Sequence, residues 1–196
     1  MKKTIPISAL FLIVSAILLT GCGNNPKTVI PETVEPPVEQ LIQKGEYLVT
    51  VMGCNDCHSP KEMGPQGSVI MADLMLSGYP SGRPFQKVDP EMIKKGWILL
   101  NSDLTAGAGP WGVSFAANLT SDQTGIGNWT EENFKRALKE GKYKGLEGSR
   151  MLLPPMPWFN FKIIKDEDVN AIFLYLKSTK PVNNLVPLPM SPDQIQ

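Results

Sequence analysis

Cys54-Asn55-Asp56-Cys57-His58 decides how the rest of this chain is read. Two cysteines separated by two residues, with a histidine directly after, form the attachment pattern of a c-type haem. The spacing has a mechanical reason. Cys54 and Cys57 stand about one helical turn apart, so both sulfurs reach the two vinyl groups on one edge of a porphyrin. His58 follows closely enough for its imidazole to bind iron from the proximal side. Two other uses of such cysteines compete. A structural zinc site takes about four protein ligands, and outside this run the chain offers no histidine and only Cys22. A thioredoxin-like redox pair belongs in a strand–helix unit, whereas the residues before Cys54 have helical spacing. The pattern predicts one covalent haem c, with thioethers at Cys54 and Cys57 and with His58 as the proximal iron ligand.

The search for a second iron ligand starts from His58 being the chain's sole histidine. Bis-histidine ligation within one chain is excluded, which leaves a sulfur donor or an open position. Met156 lies in Pro154-Pro155-Met156-Pro157, where three prolines fix the local backbone and aim a thioether with little entropy left to lose. It is the expected distal ligand. Met151 is the runner-up, and Met52, beside the attachment turn, reads as core filling.

Working outward, Lys2-Lys3 precedes an apolar run from Ile5 to Leu19 and then Leu19-Thr20-Gly21-Cys22. The run is short and ends in small residues, so residues 1–21 read as a secretory signal peptide rather than a membrane span. The last four resemble the bacterial lipoprotein box, in which the cysteine receives lipid. With Cys22 as a lipid anchor and two thioethers, all three cysteines are assigned and no disulfide is expected. Residues 22–38, with Pro26, Pro31, Pro36 and Pro37, read as a flexible tether. The chain carries 19 basic and 19 acidic residues, and loss of Lys2 and Lys3 with the leader leaves the acids in slight excess. No basic stripe points to nucleic acid.

Residues 39–180 are enough for one domain with one core. Leu41, Ile42, Leu48, Val49 and Met52 give helical spacing from Glu39 to Gly53. Gly45 is costly inside a helix and predicts close approach of another helix, with Tyr175 across from it. Thr130 predicts a cap for a helix over Glu131–Glu140, ended by Gly141. Asp166–Lys177 predicts a last helix with an acidic first turn, stopped by Pro181, and 181–196 reads as an extended tail. Ser59–Ala117 is rich in glycine and proline and holds one modest helix candidate, Asp89-Pro90 to about Lys95. A loop this long is usually functional or wrapped round something. Trp97, Trp111 and Phe115 read as packing either on a porphyrin or in plain core.

With these residues in place the chain resembles a class I type mono-haem cytochrome c over about Gln40–Thr179. Asn118-Leu119-Thr120, Thr124-Gly125-Ile126-Gly127-Asn128-Trp129-Thr130 and Pro154-Pro155-Met156-Pro157-Trp158 are similar to segments of cytochrome subunits of bacterial alcohol and aldehyde dehydrogenases. The resemblance implies an all-α cytochrome c fold of about four to five helices around a covalent haem with long loops. It also implies Cys54, Cys57, His58 and Met156 as haem residues, and terminal helices paired around Gly45 and Tyr175. Two departures stand out: those subunits usually carry several attachment motifs where this chain has one, and Ser59–Ala117 is longer than in a minimal cytochrome c. The expected role is a lipid-anchored carrier of single electrons between a periplasmic or membrane dehydrogenase and an acceptor, with no catalytic residue of its own. The alternative is a haem enzyme or gas-binding sensor with an open distal position.

Overall fold

The computed structural model describes residues 36–195. The expected signal peptide, the Cys22 anchor and most of the tether lie outside them. Helix α1, Val38–Val51, buries Gly45 and Val49 and ends at Gly53, whose left-handed φ of 70° turns the chain straight into α2, Cys54–His58. Helix α5, Asp166–Ser178, buries Val169, Ala171, Ile172 and Leu176. It crosses α1 at the expected glycine. A Cβ built on Gly45 would lie 2.0 Å from the Ala171 carbonyl oxygen and 2.7 Å from Tyr175 Cβ. Only a hydrogen side chain permits that approach. Lys44 adds a 2.6 Å ion pair to Asp168 across the same crossing.

Between these two lie α3, Pro90–Lys94, and α4, Glu131–Glu140, the latter with the bounds its caps predict. Thr130 Oγ1 accepts from Asn133 N–H while Asn133 Oδ1 accepts from Thr130 N–H, and Gly141 closes the helix at φ 69°. Phe134 and Leu138 of α4 join Val49 of α1, Leu76, Ile126, and Val169, Ile172 and Leu176 of α5 in one apolar core. Burial of such side chains contributes about 1.5–3 kcal/mol each.

The long segment after α2 is more regular than its glycines and prolines suggest. It folds as a hairpin of β1, Lys61–Gly64, with β2, Gly67–Ile70, and as an antiparallel sheet in the order β3, Leu99–Leu100, β4, Ala106–Gly109, and β5, Gly112–Phe115. These strands are short, and β4 is only alanine and glycine, so no alternation of apolar residues announces them. The molecule stays predominantly helical, as the resemblance implies. Trp97 is 59% exposed, so it is not core. Phe115 instead forms an aromatic cluster with Tyr79, at 4.7 Å between ring centroids, and Phe85, at 5.7 Å.

Residues 181–191 carry little regular structure but are docked. Met190 pairs with Val113 as an isolated bridge, and a short 3₁₀ turn, Pro192–Ile195, follows. Asn184 is buried: its Nδ2 donates to the carbonyls of Ser77 at 2.7 Å and Tyr79 at 2.9 Å, and its Oδ1 accepts from Ser81 N–H at 2.9 Å. No helix among the described residues is long and apolar enough to cross a membrane.

Candidate haem site

Helix α2 carries Cys54, Cys57 and His58 on little more than one turn, both cysteines being free thiols and half-buried. Burial pushes the Cys54 thiol up to about 11 and raises that of Cys57 as well. Redox-active cysteine pairs need thiols lowered toward neutrality, and this environment does the reverse. Among the described residues no three His, Cys, Asp or Glu side chains converge as a metal cluster, so the geometry of a zinc site is not built here.

The imidazole is oriented by a distant carbonyl. His58 Nδ1 lies 2.7 Å from the Ala117 carbonyl oxygen. A carbonyl only accepts, so Nδ1 carries the hydrogen and Nε2 keeps its lone pair. Burial lowers the imidazole pKa and holds the ring neutral at neutral pH. A neutral ring with one nitrogen fixed by a carbonyl is the state in which histidine binds a metal. The donor set therefore fits a haem iron.

The backbone on either side of Ala117 is held at three points. Ala116 N–H donates to the Thr105 carbonyl at 2.8 Å, Tyr79 N–H to the Ala116 carbonyl at 3.0 Å, and Leu119 N–H to the Leu76 carbonyl at 2.8 Å. Gly78 lies flat on this peptide, since a Cβ there would come within 2.6 Å of Ala117 C. Gly78 N–H also donates to the His58 carbonyl at 2.8 Å. Ser59, fully buried, donates to Asn55 Oδ1 at 2.8 Å and accepts from Leu76 N–H at 2.9 Å. Ala117, Gly78 and Ser59 had no motif to mark them, because they act through backbone atoms or a single hydroxyl.

The end of α2 carries a cation. Lys61 Nζ donates to the carbonyls of Asp56 at 2.6 Å, Ser59 at 2.9 Å and Asp103 at 3.0 Å. A lysine here meets the negative end of the helix dipole and its orphan carbonyls together. Asp103 is 3% exposed and accepts from Arg83 at 2.6 Å, Thr105 Oγ1 at 2.6 Å and Asn101 at 2.8 Å. Burial opposes its charge, but these hydrogen bonds hold its pKa below the usual carboxylate range. Part of the long segment thus braces α2.

Met156 is half-buried against the apolar core, which Cys54 and Met52 also touch. Met151 is 39% exposed, and its backbone bridges Lys142. The Met156 loop is tied back by Leu152 N–H to the Gly141 carbonyl at 2.6 Å and by Ser114 Oγ to the Pro154 carbonyl. The segment from Asn118 works as scaffold: Asn118 Oδ1 accepts from Thr120 N–H and Oγ1, and its Nδ2 donates to the Val182 carbonyl at 2.8 Å.

The described fold is the mainly helical one expected of a cytochrome c fold, and α2 carries the residues of the attachment pattern. In sequence the chain is similar to the cytochrome c subunit of the quinone alcohol dehydrogenase of Gluconobacter oxydans, at 27% identity over 74% of this chain. It is similar to the fructose dehydrogenase cytochrome subunit of Gluconobacter japonicus, at 26% over 91%. It is also similar to the gluconate 2-dehydrogenase cytochrome c subunit of Pantoea cypripedii, at 27% over 70%. The matches span only 23%, 29% and 23% of these relatives' own lengths. No family model matches the chain.

Proposed function

We propose that the chain is a single-haem c-type cytochrome that carries single electrons between a dehydrogenase and an acceptor. One observation carries the reading: the chain's sole histidine follows two free cysteines on one short helix, with Nδ1 turned to a carbonyl and Nε2 left to bind. Haem, when bound, supplies a one-electron couple. Cys54 and Cys57 would hold it as thioethers formed by net addition of each S–H to a vinyl group, which needs no oxidant. His58 holds the iron on one side.

Met156 would hold the iron together with His58. Its packing against the core shared with Cys54 supports this over the exposed Met151. With His58 and Met156 both holding the iron, substrate would have no place on it, and the chain would transfer electrons rather than catalyse bond chemistry. The dehydrogenase partner is supported by the names of the relatives. Export and lipid attachment at Cys22 to a bacterial membrane, with the domain facing the periplasm, rest on the sequence of residues 1–22.

The test is an optical spectrum and redox titration of the exported, haem-loaded protein. Met156→Ala should abolish the long-wavelength iron–thioether band of the oxidised form, and Met151→Ala should leave it. Rapid binding of carbon monoxide by the unaltered protein would instead indicate an open iron site.

A further inference from the structure

The charge of the chain is nearly balanced, yet residues 142–165 hold Lys142, Lys144, Arg150, Lys162 and Lys165 against the single acid Glu147. The fold gathers four of these cations on one continuous surface beside the Met156 loop. Lys142 bridges Met151 through the backbone, and Tyr143 N–H donates to the Arg150 carbonyl at 2.9 Å. Arg150 sits over the Tyr143 ring at 4.0 Å, with Lys144 over the same ring at 5.7 Å. Trp158 fills the space above Gly141, and Lys162 lies over the Trp158 ring at 4.8 Å. Among the described residues none of Lys142, Lys144, Arg150 and Lys162 has a carboxylate within ion-pair distance. Aromatic faces hold three of them in place without neutralising them. Next to Trp158 and Lys162 in the chain stand Phe159, 60% exposed, and Ile163, 92% exposed.

The neighbouring groove shows what such cations accept. It has a volume of about 470 Å³ and is lined by Lys135, Lys139, Glu140, Trp158 and Lys162. Lys135 and Lys139 each donate to Asp166 at 2.6 Å, so two of its cations already pair with a carboxylate of the chain.

We infer that this surface is the docking face for an acidic protein partner, and that electrons pass on the Met156 side of the molecule. The inference rests on the haem reading above. Fixed, unneutralised cations interleaved with apolar side chains match the complementary surface of a protein, with charges steering the encounter and the apolar residues closing the contact.

The test uses the haem-loaded full chain. Ferricyanide, an anion, and tris(phenanthroline)cobalt(III), a cation, serve as oxidants in stopped flow at low and high ionic strength. Lys144→Glu, Arg150→Glu and Lys162→Glu change exposed side chains, and unaltered melting confirms that each variant folds. Each should slow the ferricyanide reaction about 3–10-fold at ~10 mM ionic strength and speed the cobalt reaction, with both effects fading at high salt. Lys87→Glu makes the same change of charge outside the surface and should alter either rate less than about twofold. An equal response from Lys87→Glu and the three surface variants overturns the inference, because net charge alone would then be acting. It is also overturned if phosphatidylglycerol vesicles bind the protein through these residues while the ferricyanide rates stay unmoved, since the face would then meet lipid. Rates are followed through haem absorbance and the iron–thioether band is scored separately, so a wrong distal ligand and a wrong docking face give different results.

Discussion

Gly45 shows how much one missing side chain decides. Its Cα hydrogen faces the Ala171 carbonyl across the α1–α5 crossing, where a methyl group would fall 2.0 Å from backbone oxygen. Backbone cannot rotate aside as a flexible side chain does, so Gly45→Ala must push the helices apart. Helix propensity gains up to about 1 kcal/mol from the exchange, and overpacking costs about 1–3 kcal/mol. Because the obstacle is backbone, the cost should prevail: a lower urea midpoint with unchanged helix content is the expected outcome, measured by circular dichroism. This contact was legible in the sequence because a glycine inside a helix asks for a reason. The Ala117 carbonyl was not, since any residue there would supply the same acceptor and only the fold brings it to His58.

At the scale of elements, the caps wrote the helices and the strands left no signal. Thr130 and Gly141 bracket α4, and Asp89-Pro90 starts α3, where the sequence placed them. The Ala106–Gly109 strand is read only in three dimensions, because its residues have neither period nor bulk and pair by backbone alone. Helix α2 has five residues and depends on outside support. Lys61→Met removes the ammonium from three carbonyls at its end and should cost about 1–3 kcal/mol, read as a shift in denaturation midpoint. Helix α5 makes a prediction about acid. Lys135 and Lys139 hold the exposed Asp166 carboxyl at about 2, below its usual 3.8, chiefly by hydrogen bonding. A depressed carboxylate contributes stability above its unfolded pKa and loses it as pH falls through its folded one. The contribution should therefore fade between about pH 4 and pH 2, and Asp166→Asn should flatten the melting temperature of the protein across that window.

Across the described residues, the core gathers α1, α4 and α5 from both ends of the domain, while the long middle segment supplies the braces of α2. The helical architecture and the placing of Cys54, Cys57 and His58 on one short helix were legible because apolar spacing, caps and cysteine spacing are local patterns. The docked tail was not: Asn184 lies in a stretch that reads as an extended end, yet its amide is shared by Ser77, Tyr79 and Ser81. Asn184→Ala leaves two buried carbonyls without their side-chain donor and should cost about 1–3 kcal/mol for each group orphaned, checked by urea unfolding. The Ser77–Tyr79 strip in turn touches the peptide that steers His58. A polypeptide emerging amino-terminus first would thus display its cysteines long before the piece that seals the strip arrives. The strip against Ala116 would then be completed only once residue 184 is in place. Versions ending at Lys180 should remain digestible by protease where the full-length form resists, even though Cys54, Cys57, His58 and Met156 are all already present.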